Sequence, residues 1–471
     1  MSERERVGDL AIVLHSHMPY VEGFGTYPFG EEWLFDAVCR SYVPVLEVAE
    51  RLTMTVTPVL ADQLEAPGLA GRLEQFVREL RLGAAEADAA DVAAELEPAC
   101  RAEAERYRAA HARLAELGDD LLALFREPAA AGRIELMASA ATHAVLPLMA
   151  TAAGRRLQLD AGLRSHRRRF GEPAGFWLPE CAYEPGLEAL LAELGLAFFC
   201  TDQSAREEGL AAMAPVETAA GPTAFTIDWE AVAWLWSLQG YPSDPVHADF
   251  HRKSLRGIRP WAIAGGPYDP RAASARARAQ AADFVRAIAD RLRLFRDQRD
   301  RHGLVTFAID TELLGHWWWE GPAWLAEVIR LAPAHGVELV TLGEAARRHP
   351  PQARALGRSS WGEGKDLRTW DSPVVADLTW AARRLELRLV AELCGRGLGE
   401  QAARRAAREL LALQASDWAF LDGRRQAGDY PFQRATAHAE AMLEAIHCDH
   451  EPEPRLRNLA PDLSLAPLTE P

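Results

Sequence analysis

The sequence predicts an α/β fold built around a parallel β-sheet, and the strand spacing suits a barrel as well as an open sheet. Three observations support this prediction. Short apolar runs recur along the 471 residues, amphipathic stretches such as Pro185–Leu194 and Ala272–Phe295 separate most of them, and a polar or turn residue follows each run. This alternation is typical of β-α-β units, in which a helix connects two parallel strands.

Seven apolar runs have the length of buried strands. They are Leu10–Leu14, Met54–Val59, Ile134–Ala138, Ala174–Trp177, Ala197–Cys200, Val305–Ile309 and Val337–Thr341. Runs of four to eight apolar residues bounded by turn residues are characteristic of strands that are buried on both faces.

Two regions interrupt the alternation of strands and helices. Residues 65–130 are rich in Ala, Glu, Arg and Leu, and we predict a helical insertion there after the second strand. A second helical region runs from about residue 370 to 448, and a tail with five prolines follows it. We therefore predict a sheet domain of residues 1–64 and 131–350, the inserted helical subdomain 65–130, a C-terminal helical domain 351–450 and a flexible tail 451–471.

Composition excludes several classes of protein. Hydrophobic residues make up 49% of the chain and charged residues 25%, which is ordinary for a globular protein. The net charge of −16 argues against nucleic acid as a partner. No run of eighteen apolar residues occurs, so we expect no membrane contact, and the N-terminal residues do not resemble a signal peptide. We therefore expect a cytoplasmic protein.

Titratable residues follow most of the predicted strands. In a barrel of parallel strands, side chains just beyond the carboxyl ends converge on the face that carries the active site. The residues in these positions are His15, His17, Asp62, His143, Glu180, Asp202, Asp310, Glu312 and His316. We therefore expect one dense cluster of titratable groups.

Glu180 and Asp310 lie closest to a strand end, and we predict that they act as a pair. Cleavage of a glycosidic bond needs one carboxylate to attack the anomeric carbon and a second carboxyl group to protonate the leaving oxygen. The alternatives are an ordinary surface glutamate for Glu180 and a helix cap for Asp310. Other carboxylates nearby are Glu184, Glu312 and Glu320.

A metal site is a competing interpretation. His15 and His17 at the end of one strand, together with His143 and a carboxylate, would suit a zinc ion that activates water, as in a metal-dependent deacetylase. No phosphate-binding loop, dinucleotide-binding loop or GxSxG motif is present.

Fourteen tryptophans suggest recognition of sugar rings, because an indole presents a broad apolar face and a polar N–H. Trp317, Trp318 and Trp319 are consecutive, so they cannot all point into the core. Packing in the core is the alternative for any one of the fourteen.

Five motifs in order resemble glycoside hydrolase family 57, and in particular its 1,4-α-glucan branching enzymes. They are LHSHMPY, ASAATHAVLP, GFWLPECAY, FAIDTELLGHWWWEGP and QASDWAFL. The resemblance covers nearly the whole chain. It implies an incomplete (β/α)7 barrel with an inserted helical subdomain and a C-terminal helical domain.

The resemblance also implies roles for individual residues. Glu180 would be the nucleophile and Asp310 the general acid and base of a retaining transglycosylase. The residues implied to bind the α-glucan are His15, His17, Asp62, His143, Trp177, Arg252, His316, Trp361, Asp417 and Trp418. No metal or other cofactor is implied, and a monomer is favoured.

Two segments depart from the family pattern. The stretch between Phe250 and Tyr268 is shorter than in the branching enzymes, and residues 205–221 contain no tyrosine-tipped loop. These departures affect the expected balance between transfer and hydrolysis. An α-amylase or a 4-α-glucanotransferase of the same family, and a glycan-binding protein without activity, therefore remain alternatives.

Overall fold

The computed structural model describes residues 6–25, 29–206, 209–395, 397–447, 456 and 458–469. The strands are β1 (Gly8–Ser16), β2 (Leu52–Val56), β3 (Ile134–Ser139), β4 (Gly175–Trp177), β5 (Phe198–Thr201), β6 (Val216–Glu217), β7 (Thr223–Thr226), β8 (Gly303–Asp310), β9 (Val337–Leu339) and β10 (Gln352–Ala353). The helices before β5 are α1 (Glu31–Ala37), α2 (Val43–Val48), α3 (Pro58–Leu64), α4 (Leu69–Gln75), α5 (Gly83–Asp91), α6 (Glu97–Leu117), α7 (Ala123–Ala130), α8 (Ala152–Phe170) and α9 (Leu187–Glu193). Those after it are α10 (Trp229–Trp236), α11 (Pro270–Arg299), α12 (Gly321–Leu331), α13 (Leu342–Arg348), α14 (Ala376–Gly395), α15 (Glu400–Leu413), α16 (Ser416–Arg424), α17 (Tyr430–His447) and α18 (Ala466–Thr469).

The central sheet has the parallel order β7-β5-β4-β3-β2-β1-β8. Every residue of β1 is buried, as expected for an apolar strand that is covered on both faces. Within the described residues no ladder joins β7 to β8, and the amide of Asp228 donates to the carbonyl of Thr306 across the gap (2.9 Å). The sheet is therefore an incomplete (β/α)7 barrel.

All seven predicted strands are present, with ends that differ by no more than three residues. Sequence reasoning missed β7, which is the seventh strand of the barrel. The predicted strand that corresponds to β9 pairs with only the first three residues of β1. Sequence reasoning selected longer apolar runs, and β7 contains only two apolar residues, Ala224 and Phe225, between two threonines. The short strands β6 and β10 at the edge were missed as well.

The insertion after β2 consists of helices α4 to α7, and its described residues contain no strand. Buried polar contacts fasten it to the barrel. Arg40, in the π-helical turn that continues α1, forms an ion pair with Glu103 of α6 (3.1 Å), and both side chains are almost fully buried. The hydroxyl of Tyr107 in α6 donates to Asp36 of α1 (2.7 Å). Burial of these groups is tolerated because each charge has a partner.

Helices α14 to α17 form the C-terminal domain, and the chain then returns to the barrel. The prediction of a flexible tail is wrong for residues 458–469, because Leu459 is 3% exposed and Leu463 is 2% exposed. Leu459 packs against Tyr20 and Val59, at the side of the barrel. The burial of apolar residues along the tail orders it, although its prolines had suggested a flexible segment. Residues 451–455, 457 and 470–471 lie outside the described residues.

No helix among the described residues is both long enough and apolar enough to cross a membrane.

We expect Leu463→Ala to lower the free energy of unfolding by about 2–5 kcal/mol, because it leaves a cavity among Leu157, Leu410 and Leu411. The matched control is Leu387→Ala, since Leu387 is 53% exposed on α14 and should change stability by less than about 0.5 kcal/mol. Urea denaturation of both variants measures the difference. Equal midpoints would show that the tail does not contribute to the folded state.

Candidate active site

Five predicted residues lie together at the edge where the carboxyl ends of β1, β3, β4 and β8 meet. His15, near the end of β1, is the register partner of Asp310, the last residue of β8. His17 follows β1, His143 follows β3, and Glu180 lies in the turn Pro179–Cys181 after β4. Neighbouring parallel strands thus bring together residues that are up to about three hundred positions apart in sequence.

The Glu180 carboxylate is buried and is surrounded by hydrogen-bond donors. Nε1 of Trp361 donates to its Oε2 (2.8 Å), the hydroxyl of Ser416 also donates to the carboxylate, and Nδ1 of His143 lies 3.5 Å from Oε1. Burial raises the pKa of Glu180 to about 7, whereas the hydrogen bonds from Ser416 and Trp361 favour the ionised form and oppose this rise. The group therefore changes charge near neutral pH.

Glu180, Cys181 and His143 have left-handed backbone conformations, with φ of +59°, +48° and +61°. This conformation is uncommon for residues with a side chain and costs of the order of 1–3 kcal/mol each. Backbone hydrogen bonds from outside the barrel hold it. The amide of Trp361 donates to the carbonyl of Glu180 (3.0 Å), and the amide of Ser416 donates to that of His143 (3.2 Å).

Asp310 is surrounded mainly by groups that oppose its ionisation. Burial raises its pKa well above the ordinary value, and the neighbouring carboxylates Glu312, Glu180 and Asp417 raise it further, while His17 lowers it. A carboxyl group of this kind keeps its proton at neutral pH and is suited to act as a general acid.

The three histidines differ in charge. Burial lowers the pKa of His17, but Asp417, Glu312 and Glu180 more than compensate and raise it above the ordinary value. Its Nε2 lies 3.0 Å from Oδ1 of Asp417. For His15 and His143, burial lowers the pKa well below the ordinary value, and the nearby His17 lowers it further. His17 is therefore the cation of the cluster, and the other two rings are neutral.

The contacts of the two neutral rings define one direction of hydrogen bonding. Nε2 of His15 lies 2.9 Å from Nε2 of His143, and Nδ1 of His143 lies 2.9 Å from the hydroxyl oxygen of Ser416. The Glu180 carboxylate lies 3.5 Å from Nδ1 of His143 and favours a proton on that nitrogen, so Nε2 of His143 accepts from Nε2–H of His15. The tautomers assigned in this way form a chain of donors that ends on the Glu180 carboxylate.

Trp177 supports the histidines from behind. Its indole is fully buried and stacks on His15, with ring centroids 4.6 Å apart and an angle of 14° between the planes. The edge of Trp361 meets Trp177, with ring centroids 5.2 Å apart. Of Trp177 and Trp361, only Trp361 is partly exposed beside the carboxylates, so it offers a surface to a substrate.

A pair of exposed tryptophans extends from this edge of the barrel. Trp236 ends α10 and is 47% exposed, and Trp317, in the loop after β8, is 41% exposed. Their ring centroids are 6.4 Å apart. Trp318 and Trp319 are buried, which confirms that the three consecutive tryptophans do not all point inward.

The sequence model of glycosyl hydrolase family 57 matches residues 11–356, a span that holds Glu180 and Asp310. The chain belongs to this family. A second model, describing the C-terminal region of 1,4-alpha-glucan branching enzymes, matches residues 378–458. That span supplies Ser416 and Asp417 to the cluster.

Three family 57 relatives resemble almost the whole chain. A 1,4-alpha-glucan branching enzyme of Thermococcus kodakarensis is 33% identical over 92% of this chain and 72% of its own length. A probable 1,4-alpha-glucan branching enzyme of Mycobacterium tuberculosis is 33% identical over 93% of this chain and 91% of its own. The crystal structure of a branching enzyme of this family from Pyrococcus horikoshii superposes with a TM-score of 0.91 at 30% identity, over 98% of this chain and 97% of that one.

Two of the residues predicted to bind substrate make buried contacts with other parts of the chain. Asp62 forms a buried ion pair with Arg169 (2.7 Å), and the amide of Ala460 in the tail donates to its other oxygen (2.7 Å). Trp418 is 1% exposed, and its indole N–H donates to the carbonyl of Ala412 (2.7 Å) inside the C-terminal domain. Consecutive residues of a helix point in directions about 100° apart, so on α16 Asp417 reaches the cluster while Trp418 does not.

Two further predicted residues lie beside the helical insertion. His316 is buried next to Phe250, and burial lowers its pKa to about 3, so it is neutral. Arg252 is exposed, lies over the ring of Trp261 (4.3 Å to the centroid) and donates to the carbonyl of Gly265 (2.9 Å). These contacts organise the short segment between Phe250 and Tyr268.

Sequence reasoning missed Ser416 and Tyr42, and it treated Glu312 only as a competitor of Asp310. The QASDW motif contained Ser416, but a single serine at the start of a helix gives no signal of its own. Tyr42 lies in the π-helical turn Val38–Tyr42, which is distant in sequence from the end of any predicted strand.

Two of the histidines that suggested a metal site are hydrogen-bonded to each other. Nε2 atoms of His15 and His143 face each other at 2.9 Å instead of turning toward a common point. In the part of the chain that the structure describes, no three histidine, cysteine or acidic side chains are grouped so that they could hold a metal ion.

We expect Asp62→Asn to lower thermal stability and to leave KM for glucan unchanged, because Asp62 holds Arg169 and the tail together. Removing one partner of a buried ion pair typically costs about 3–5 kcal/mol, although Glu65 also contacts Arg169 (2.6 Å) and should reduce the loss. Differential scanning calorimetry and KM measured well below the melting temperature test both parts. A raised KM with an unchanged melting temperature would return Asp62 to the substrate site.

Proposed function

We propose that this protein is a 1,4-α-glucan branching enzyme, which cleaves an α-1,4-glucan and transfers the released chain to a 6-hydroxyl group. The observation that carries the proposal is the contact of Ser416 and Asp417 with the carboxylate cluster. Both residues belong to the region that resembles the C-terminal part of branching enzymes, so the domain typical of that activity contributes directly to the site. The three relatives described above are named as branching enzymes, one of them as a probable one.

In the first step, Glu180 attacks the anomeric carbon of an α-1,4-linked glucose unit and forms a glycosyl ester with inversion. Asp310 donates its proton to the glycosidic oxygen, which leaves with the reducing-end portion of the chain. The raised pKa of Asp310 supplies this proton at neutral pH, and the donors Ser416 and Trp361 keep Glu180 available as a carboxylate.

In the second step, Asp310 is ionised and accepts the proton of the 6-hydroxyl group of an acceptor glucan. The resulting oxygen nucleophile attacks the anomeric carbon, the ester to Glu180 breaks, and the α configuration is retained by two inversions. His17, as an imidazolium, compensates the negative charge that moves among Glu180, Asp310 and the leaving group.

Transfer requires that an acceptor sugar reach the ester in place of water. The exposed pair Trp236 and Trp317 forms a platform beside the loop that follows Asp310, and aromatic faces of this kind stack on sugar rings. We assign this platform to the acceptor chain, and Trp361 to the sugar bound at Glu180.

A cytoplasmic location is also part of the proposal. Cys39, Cys100, Cys181 and Cys200 are buried free thiols, and Cys394 is an exposed one. Unpaired thiols are typical of proteins in a reducing compartment.

We expect the purified protein to convert linear amylose into a glucan with α-1,6 branches while creating few new reducing ends, and Glu180→Gln to abolish this activity. Iodine absorbance, a reducing-end assay and chain sizing after enzymatic debranching provide the measurement. The matched control is Glu184→Gln, because Glu184 follows on the same loop but pairs with Arg155 (3.1 Å) and should leave turnover intact.

Three outcomes would contradict the proposal in different ways. Many new reducing ends without branches would indicate an α-amylase, and redistributed chain lengths without branches a 4-α-glucanotransferase. Full activity of Glu180→Gln would refute the assignment of the nucleophile.

We expect Trp361→Phe to move the acidic limb of the kcat/KM profile to higher pH by about one unit. The indole N–H stabilises ionised Glu180, and a hydrogen bond to a charged group contributes about 1.5–3 kcal/mol, of which 1.36 kcal/mol corresponds to one pKa unit. Its loss raises the pKa of Glu180, so more enzyme is protonated and inactive at low pH. The measurement is a set of initial rates between about pH 4 and 9.

The control for this experiment is Trp370→Phe in the same loop. The indole nitrogen of Trp370 is buried and has no hydrogen-bond partner among the described residues, so the acidic limb should stay in place. Identical shifts in both variants would mean that Trp361 affects packing alone.

A further inference from the structure

Glu312 is a third buried carboxylate at the reacting centre, and neither step above uses it. It lies in the turn Thr311–Leu313, two residues after Asp310, and is 4% exposed. The hydroxyl of Tyr42 donates to its Oε1, and the amide of His17 donates to the same oxygen (3.1 Å). A buried carboxylate is costly without partners, so this side chain occupies a place prepared for it.

The turn that carries Glu312 is fixed from two sides. The hydroxyl groups of Ser16, at the end of β1, and Thr311 lie 2.8 Å apart. The hydroxyl of Ser41, in the turn before Tyr42, donates to the carbonyl of Thr311 (2.8 Å). The position of Glu312 relative to Asp310 is therefore fixed by Ser16 at the end of β1 and by Ser41 in the π-helical turn before α2.

The titratable groups near Asp310 come from five elements. Its surroundings contain Glu312 on its own turn, Glu180 and Cys181 after β4, His17 after β1, Asp417 of α16, and Tyr42 before α2. Among the carboxylates, Glu312 acts on Asp310 most strongly. Burial raises the pKa of Glu312 itself to about 7, and the hydrogen bond from Tyr42 opposes that rise.

We propose that Glu312 is a positioning residue whose carboxylate makes Asp310 an effective base in the second step of the reaction. The proposal rests on the function proposed above. When the glycosyl ester forms, Glu180 loses its charge and no longer favours the protonated form of Asp310. Glu312 takes part in no bond change, so its carboxyl group stays beside Asp310 in both steps, and the hydrogen bonds from Tyr42 and from the amide of His17 favour its ionised form.

A negative charge on Glu312 suits both roles of Asp310, as an acid in the first step and as a base in the second. The first step needs an acid that keeps its proton, and the second needs a base strong enough to take a proton from a sugar hydroxyl. A negative neighbour that does not react raises the affinity of Asp310 for a proton in both states. Without it, Asp310 would be a weak base at the point where Glu180 has become neutral.

Glu312→Gln tests the proposal, since glutamine retains an oxygen that accepts from Tyr42 and from the amide of His17. We expect the basic limb of the kcat/KM profile to move to lower pH by about one unit, because Asp310 loses its proton more readily. We also expect kcat to fall more than kcat/KM when transfer from the ester limits turnover. Tyr42→Phe, which weakens ionisation of Glu312, should shift the basic limb in the same direction by less.

Glu320→Gln is the matched control. Glu320 is also buried, and its Oε1 accepts from the hydroxyl of Tyr268 (2.7 Å) and from the amide of Ala248 (3.2 Å), which is the same pattern as at Glu312. Its charge acts on Arg106 and Tyr268. The basic limb should therefore stay in place in this variant.

The outcomes separate the two proposals. A shift in Glu312→Gln or in Tyr42→Phe with no shift in Glu320→Gln supports the role of Glu312. If the wild-type protein forms branches, the role of Glu312 is refuted when the basic limb stays in place in both Glu312→Gln and Tyr42→Phe, or when it shifts equally in these two variants and in Glu320→Gln. A wild-type protein that only hydrolyses amylose would refute branching, and the same limbs measured on hydrolysis would still test Glu312.

Discussion

The ion pair between His17 and Asp417 is the interaction on which the rest of the site depends. It places a cation among Glu180, Asp310 and Glu312, three neighbouring carboxyl groups whose mutual repulsion would otherwise favour their protonated forms. It also connects β1 of the barrel to α16 of the C-terminal domain. The charge balance of the reacting centre therefore exists only while the two domains are docked.

Docking is reinforced by polar contacts that make the C-terminal domain part of the catalytic wall. Gln158 of α8 donates to the side chain of Gln414 (3.0 Å), which in turn donates to Glu386 of α14 (3.0 Å). Residues Ala144 and Ala415 form a β-bridge, which brings Ser416 against His143. Because these groups are buried and paired, separating the domains would leave charges and amides without partners. The barrel and the helical domain thus behave as one structural unit around the nucleophile.

The sequence allowed much of the barrel and the centre of the site to be predicted. Strand periodicity located β1 to β5 and β8, and the rule that carboxyl ends of parallel strands converge brought Glu180, Asp310 and the histidines together. Local reasoning failed where tertiary context decides. Asp62 follows a strand like the others, but α3 turns it toward Arg169 and the tail. Asp417 and Trp418, neighbours in one motif, were both expected to bind substrate, although Asp417 contacts His17 and Trp418 points into its own domain. The tail appeared disordered from its prolines, but its leucines fill an apolar crevice.

The three clustered histidines, which first suggested a metal, are better explained by the need for a fixed direction of hydrogen bonding. A contact between Nε2 of His15 and Nε2 of His143 requires one donor and one acceptor, so the two rings cannot both be imidazolium. Burial keeps them neutral, and the stacked indole of Trp177 excludes water from His15. The chain of donors then runs in one direction to Ser416 and Glu180. Two neutral rings in this way orient the carboxylate without neutralising it, and the third ring, His17, supplies the positive charge.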